Sequence, residues 1–258
     1  MRVHLAIRPV VLLCISFLFL ESISFANDEA QKKALPSVQE IMDHYVAALG
    51  GRDAIFKHKA MTIHEKLEAQ GQSIDRVVYY KEGKKSHEKI NLPNNGEYQS
   101  GYDGTTAWEM ASSGGAALIE GDEALSKIRD ADMYYPARIM EYFRSMDVVD
   151  VAEFGGHTCY HLKGTNNWGK ANEHFYDTKS GLLIGYRFNS AWRGGAGDES
   201  LVINEYKSFD GWQMPVRIAH TDPNRTITEV VNSVTFDDVS DAEFRLPDSV
   251  KALLAKKQ

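Results

Sequence analysis

Between Pro36 and Leu49 the apolar residues Val38, Ile41, Met42, Tyr45, Val46 and Leu49 recur at helical spacing, and Gly50-Gly51 follow. The spacing predicts one amphipathic helix stopped by glycine, the residue that tolerates the left-handed turn at a helix end. From Met61 the period drops to two. "MTIHEKLEA", "SIDRVVYYKEG" and "KKSHEKINLP" alternate apolar and polar positions and are separated by glycine-rich or charged turns, as strands are. "GEYQSGYDGTTAWEM" continues as a hairpin about Asp103-Gly104, with a two-residue turn setting Tyr102 opposite Thr105. That register places Tyr98, Ser100, Tyr102, Thr105, Ala107 and Glu109 on one face, and Gln99, Gly101, Thr106, Trp108 and Met110 on the other. Each face is half apolar, as a sheet would be if it packs on one side and bounds a space on the other.

The middle of the chain differs. In "GDEALSKIRDADMYYPARIMEYFRSM" the apolar residues return to helical phase and break at Pro136, which predicts two short helices joined at Tyr135-Pro136. Ile128, Ile139, Met140 and Phe143 are their candidate lid residues. Period-two segments then resume from "DVVDVAEF" to "TITEVVNSVTFDDV", and "DAEFRLPDSVKALLAKK" predicts a short C-terminal helix. Consecutive strands with short turns form an antiparallel meander, and a sheet of roughly ten or eleven strands curls.

The first residues change the picture of where the protein works. "MRVHLAIRPVVLLCISFLFLESISFA" has Arg2 and Arg8 ahead of an apolar run and ends in the small-x-small pattern Ser24-Phe25-Ala26. The expectation is a secretory signal over residues 1–26, cleaved after Ala26, with residues 27–258 forming a single domain in the periplasm or outside the cell. No transmembrane anchor is expected after cleavage. Cys14 does not make a lipid-attachment site, because Leu13 stands where a small residue is needed. The whole chain carries a formal net charge of −7, an acidic balance that argues against nucleic acid as a partner. Cleavage leaves Cys159 as the one cysteine, so no internal disulfide can form and burial must supply the stability.

Catalytic motifs are missing. The sequence has no G-x-S-x-G elbow, phosphate-binding loop, G-x-G-x-x-G turn or H-E-x-x-H helix. "HTCYH" sets His157, Cys159 and His161 on one strand face, and a turn near Asn167 would bring His174 opposite His161, a patch suited to zinc or copper. A register shift of one residue would send His174 to the other side. The plainer reading makes Cys159 a buried small hydrophobe and the histidines strand-end residues. Glu65 and Glu88 read as solvated charge. What remains is a spread of bulky apolar side chains over many strands: Tyr79, Trp108, Met110, Tyr160, Phe175, Tyr186, Phe188 and Trp212 are the candidate lining of an apolar cavity. The same rings could instead fill one dry core.

In order along the chain, "IMDHYVAALGGRDAI", "YDGTTAWEM", "GGHTCYHLKG", "FYDTKSGLLIGYRF", "YKSFDGWQMPVRI" and "VTFDDVSDAEFRLP" resemble outer-membrane-lipoprotein-sorting-like proteins of the LolA/LolB superfamily. The family's pattern is matched by Gly156, Cys159-Tyr160, Tyr176-Asp177 and Gly181-Leu182-Leu183, which favours Cys159 as a packed strand residue. The resemblance implies an internal hydrophobic cavity that takes acyl chains under a helical lid. The expected fold is α+β: a curled antiparallel half-open β-barrel of roughly ten or eleven strands, with helices covering or plugging its open side. The expected function is a non-enzymatic envelope binding protein without cofactor, sequestering a lipid, a lipoprotein acyl chain or another apolar ligand, with an envelope protein as a further partner. The alternatives are an envelope interaction module with a solid core, or a metal-dependent protein using His157, Cys159 and His161.

Overall fold

The computed structural model of the protein describes residues 34–93, 96–191 and 197–257. The expected leader and its cleavage point lie outside the described residues. Helix α1 (Val38–Ala48) starts at Ser37, whose Oγ accepts the Glu40 N–H at 3.2 Å while the Glu40 carboxylate accepts the Ser37 N–H at 2.7 Å. This reciprocal cap fixes the first turn. Ile41, Met42 and Tyr45 form its buried face, and Gly50, at φ +105°, turns the chain into α2 (Gly51–Phe56).

The strands follow as β1 (Ala60–Ala69), β2 (Gln72–Lys81), β3 (Lys85–Leu92), β4 (Gly96–Tyr102), β5 (Ala107–Ala111), β6 (Gly115–Leu118), β7 (Phe143–Phe154), β8 (His157–Asn166), β9 (Ala171–Asp177), β10 (Leu183–Asn189), β11 (Asp198–Phe209), β12 (Trp212–Thr221) and β13 (Thr226–Phe236). They make one thirteen-stranded sheet in the order β6-β5-β4-β3-β2-β1-β13-β12-β11-β10-β9-β8-β7. Two meanders are therefore joined along β1 and β13, with Met61 opposite Phe236. The sheet is open, and its two edges, β6 and β7, are consecutive in the chain. Helices α3 (Gly121–Asp130) and α4 (Tyr135–Arg138), with a 3₁₀ turn over Ile139–Tyr142, connect those edges.

The sheet is strongly curled. In a flat sheet β2 and β10 would lie about 24 Å apart, five strand spacings, yet Tyr80 of β2 and Tyr186 of β10 bound the same cavity. Irregular registers at His64/Glu65, Leu183/Gly185 and Ile203/Glu205 add local bends.

The strand count exceeds the ten or eleven expected. Four-residue β6 lies in a Gly/Ala-rich stretch with too little side-chain contrast to show a period. In the β4–β5 hairpin, Tyr102 pairs with Ala107 and not with Thr105. Asp103 Oδ1 accepts the N–H groups of Thr105 and Thr106, each at 2.8 Å, which favours a four-residue turn over a two-residue one. Because the register moves by two, the residues that remain in the two strands keep their predicted faces, while Thr105 and Thr106 fall in the turn.

Both faces of the sheet are packed. The concave face meets α1 and the crossover helices in the main core, which includes Tyr45, Leu49, Tyr176 and Trp212. On the convex face Phe154, Cys159, Phe175 and Ile184 form a smaller cluster. Elsewhere on that face the C-terminal segment covers the other end of the sheet. A 3₁₀ turn over Asp241–Phe244 lies against β3, Glu243 pairs with Lys89 at 2.8 Å, and α5 (Asp248–Ala255) lies against β6. Trp108 lies on this face, its ring over Gly101, where a Cβ would come within 2.7 Å of the Ser86 carbonyl oxygen.

Candidate functional site: a cavity beneath the crossover helices

The space between the concave face, α1 and the crossover is a cavity of about 560 Å³, within the ~300–1,000 Å³ range of small-molecule sites. Its apolar base comes from alternate positions of neighbouring strands, which the pleat turns to one side. Met61, Ile63, Val78, Leu201, Ile203, Trp212 and Met214 line it, with Tyr45 and Leu49 from α1 and Met133, Tyr135 and Ile139 from the crossover. A groove of about 620 Å³, more open to solvent, adjoins it at the ends of β9–β12 and shares Ala171, Asn172 and Phe188.

One wall of the cavity is charged. Arg76 of β2 pairs through Nε with Glu65, through Nη1 with Glu88 at 3.5 Å and through Nη2 with Glu229 at 3.2 Å. Burial holds the Glu65 carboxyl above its ordinary range, and attraction to Arg76 offsets this only in part. For Arg76 burial works against the charge, but Glu229, Glu65 and Glu88 outweigh it and keep the guanidinium firmly protonated. Ser100 donates to Glu88 Oε1 at 2.9 Å and accepts from Lys127 Nζ of α3 at 2.6 Å.

The crossover contributes a second polar region. Arg129 donates through Nε and Nη2 to Asp130 at 2.9 and 2.6 Å, and through Nη2 to Ser126 at 3.3 Å. The rings of Tyr135 and Trp168 lie 5.7 and 5.5 Å from its guanidinium carbon. His174 also lines the cavity, with Nδ1 3.2 Å from the Tyr176 hydroxyl. Burial, helped by the positive charge of Arg129, pushes its pKa down to about 3.

The eight expected lining residues divide between the two faces. Tyr186, Phe188 and Trp212 line the cavity. Tyr160 shares the concave face, opposite Tyr176, and packs into the main core. Tyr79, Trp108, Met110 and Phe175 occupy the convex face, because their cross-strand partners alternate with the cavity residues. Of the expected lid residues, Ile139 lines the cavity, Ile128 is half-buried outside the lining, Met140 is 39% exposed and Phe143 belongs to β7.

The metal candidates do not converge. Leu162, and not His161, is opposite His174, so His174 faces the cavity while His157, Cys159 and His161 face outward. His157 pairs with Asp177 at 2.9 Å and His161 with Asp150 at 3.0 Å. Among the described residues no group of three or more His, Cys, Asp or Glu side chains could hold a metal ion. Cys159 is fully buried, and burial pushes its thiol pKa up to about 12. The sequence reading missed the Arg76 cluster by taking Glu65 and Glu88 as solvated. Glu65 is 5% exposed, and its position in phase with Met61 and Ile63 was the available signal.

No protein-family model and no curated protein matches this sequence. Solved structures do. A LolA superfamily protein from Nitrosomonas europaea matches 82% of this chain and 99% of its own, with TM-score 0.56 and 13% identity. The chain has a LolA-like fold. A DUF1329 family protein from Desulfovibrio piger matches 81% of this chain and 97% of its own, with TM-score 0.55 and 15% identity. A candidate outer membrane lipoprotein-sorting protein domain from Vibrio parahaemolyticus matches 84% and 95%, with TM-score 0.53 and 12% identity. In this LolA-like fold the sheet forms the curved wall and the β6–β7 crossover the cover, and no described helix is long and apolar enough to cross a membrane.

Proposed function

We propose that the chain is an exported cell-envelope binding protein that shields an apolar ligand, a lipid or a lipoprotein acyl chain, from water in the cavity under the crossover helices. The carrying observation is the 560 Å³ space with an apolar base inside a LolA-like fold. Burying an acyl chain contributes about 0.8 kcal/mol per CH₂, so a long chain is held by area alone, without a catalytic group. The leader over residues 1–26 supplies the export route, and the name of the Vibrio domain suits the same reading. A solid-core interaction module fits the cavity less well. Metal-dependent chemistry fits His174 facing away from His161 less well.

Native mass spectrometry and organic extraction of protein purified from cells test the proposal. Co-purifying lipid and saturable uptake of a fluorescent fatty acid are expected. Protein that is empty and takes up no fatty acid overturns it.

A further inference from the structure

The helix that covers the cavity turns the wrong side inward for a purely oily cargo. Leu125 of α3 is 44% exposed, while Ser126, Lys127, Arg129 and Asp130 line the space below. Cations facing a low-dielectric cavity are costly without anionic partners. Lys127 forms no ion pair among the described residues; its hydrogen bond goes to the neutral Ser100 hydroxyl. Arg129 spends Nε and Nη2 on Asp130 and Ser126, and its Nη1 makes no hydrogen bond among the described residues. Flanking rings hold that guanidinium in place, as they do where a planar fork recognises an anion. The acidic wall, which meets Lys127 through Ser100, disfavours an anion, because Glu88 and Glu229 outnumber Arg76 along the lining.

We infer that the cavity's ligand is an anionic amphiphile, its carboxylate or phosphate head held by Arg129 with Lys127 nearby and its tail lying over Trp212 and Met214. This rests on the proposed function and adds the ligand's charge and orientation. The head meets the Arg129 donor under α3 and the tail meets the apolar base, and this contrast sets the end-to-end placement. His174, neutral beside Arg129, adds a hydrogen-bonding group without competing charge.

Displacement of a fluorescent fatty acid by a long-chain fatty acid, an alkyl phosphate, and the alcohol and amine of the same chain length tests this, with inorganic phosphate as a further arm. Wild-type protein is expected to bind the acid and the alkyl phosphate at least about tenfold more tightly than the alcohol, as a charge-assisted hydrogen bond implies. In Arg129→Gln the acid-to-alcohol ratio falls toward one because acid binding weakens more than alcohol binding, and Arg129→Lys keeps part of the preference. Equal binding of acid and alcohol by wild type, or equal weakening of both in Arg129→Gln, overturns the inference and leaves the apolar cavity standing. Binding of none of the amphiphiles overturns the proposed function as well. Inorganic phosphate that competes as strongly as the alkyl phosphate shows a site for a free anion and overturns the amphiphile.

Discussion

Lys127 on α3 donates to Ser100 on β4 at 2.6 Å, across the open side of the sheet. At the opposite end of the sheet, Lys170, just before β9, pairs with Asp122 at the start of α3 at 3.1 Å. The crossover is thus tied to both ends of the curve it covers, and displacing α3 requires breaking at least one tie.

Lys127→Ala is expected to raise amide hydrogen exchange across residues 121–130 while lowering global stability by no more than about 1 kcal/mol, the scale of one such bond. Unchanged exchange in α3 would show that the tie does not hold it.

Two buried tryptophans should behave differently. Trp212→Ala and Trp108→Ala are each expected to cost about 3–5 kcal/mol. Below the melting transition, only Trp212→Ala should weaken fatty-acid uptake, because Trp212 lines the cavity and Trp108 lies on the convex face. Equal loss of uptake by folded samples of both would contradict this assignment of faces.

Glu65 should make stability pH-dependent. Its folded-state pKa is raised from 4.5 by burial, so the native protein keeps a proton that the unfolded chain releases. That contribution is complete below about 4.5 and is lost as the pH climbs toward neutrality. The stability difference between wild type and Glu65→Gln should therefore shift against wild type over that interval, in paired denaturant titrations. A constant difference would mean that Glu65 is charged throughout.

Cys159 should resist thiol reagents in the native state, being fully buried with its pKa pushed up to about 12, and react on unfolding. Rapid labelling of native protein at neutral pH would count against this packing.

Much of the fold was legible because its signals are local. The spacing from Val38 to Leu49 and the stop at Gly50-Gly51 mark α1, and period-two stretches mark most strands. The site was legible only in part. Tyr79, Trp108, Met110 and Phe175 alternate with cavity residues, but α5, the 3₁₀ turn and an aromatic cluster cover the convex face, so apolar character cannot say which side is concave. The polar wall was hidden for the converse reason. Glu65, Arg76, Glu88 and Glu229 come from four strands, and only the seam between β1 and β13 brings Glu229 to the others.

That seam also sets the order in which the molecule can be completed. During synthesis β1 emerges early and then has one bare flank until nearly the whole polypeptide has followed, since its second neighbour is the final strand. Before then the protein is two separate ribbons, each with unsatisfied backbone along its margins and each open to pairing with a stranger. Pairing β13 with β1 joins the two ribbons, after which the sheet's margins are short, helix-covered β6 and the long strand β7.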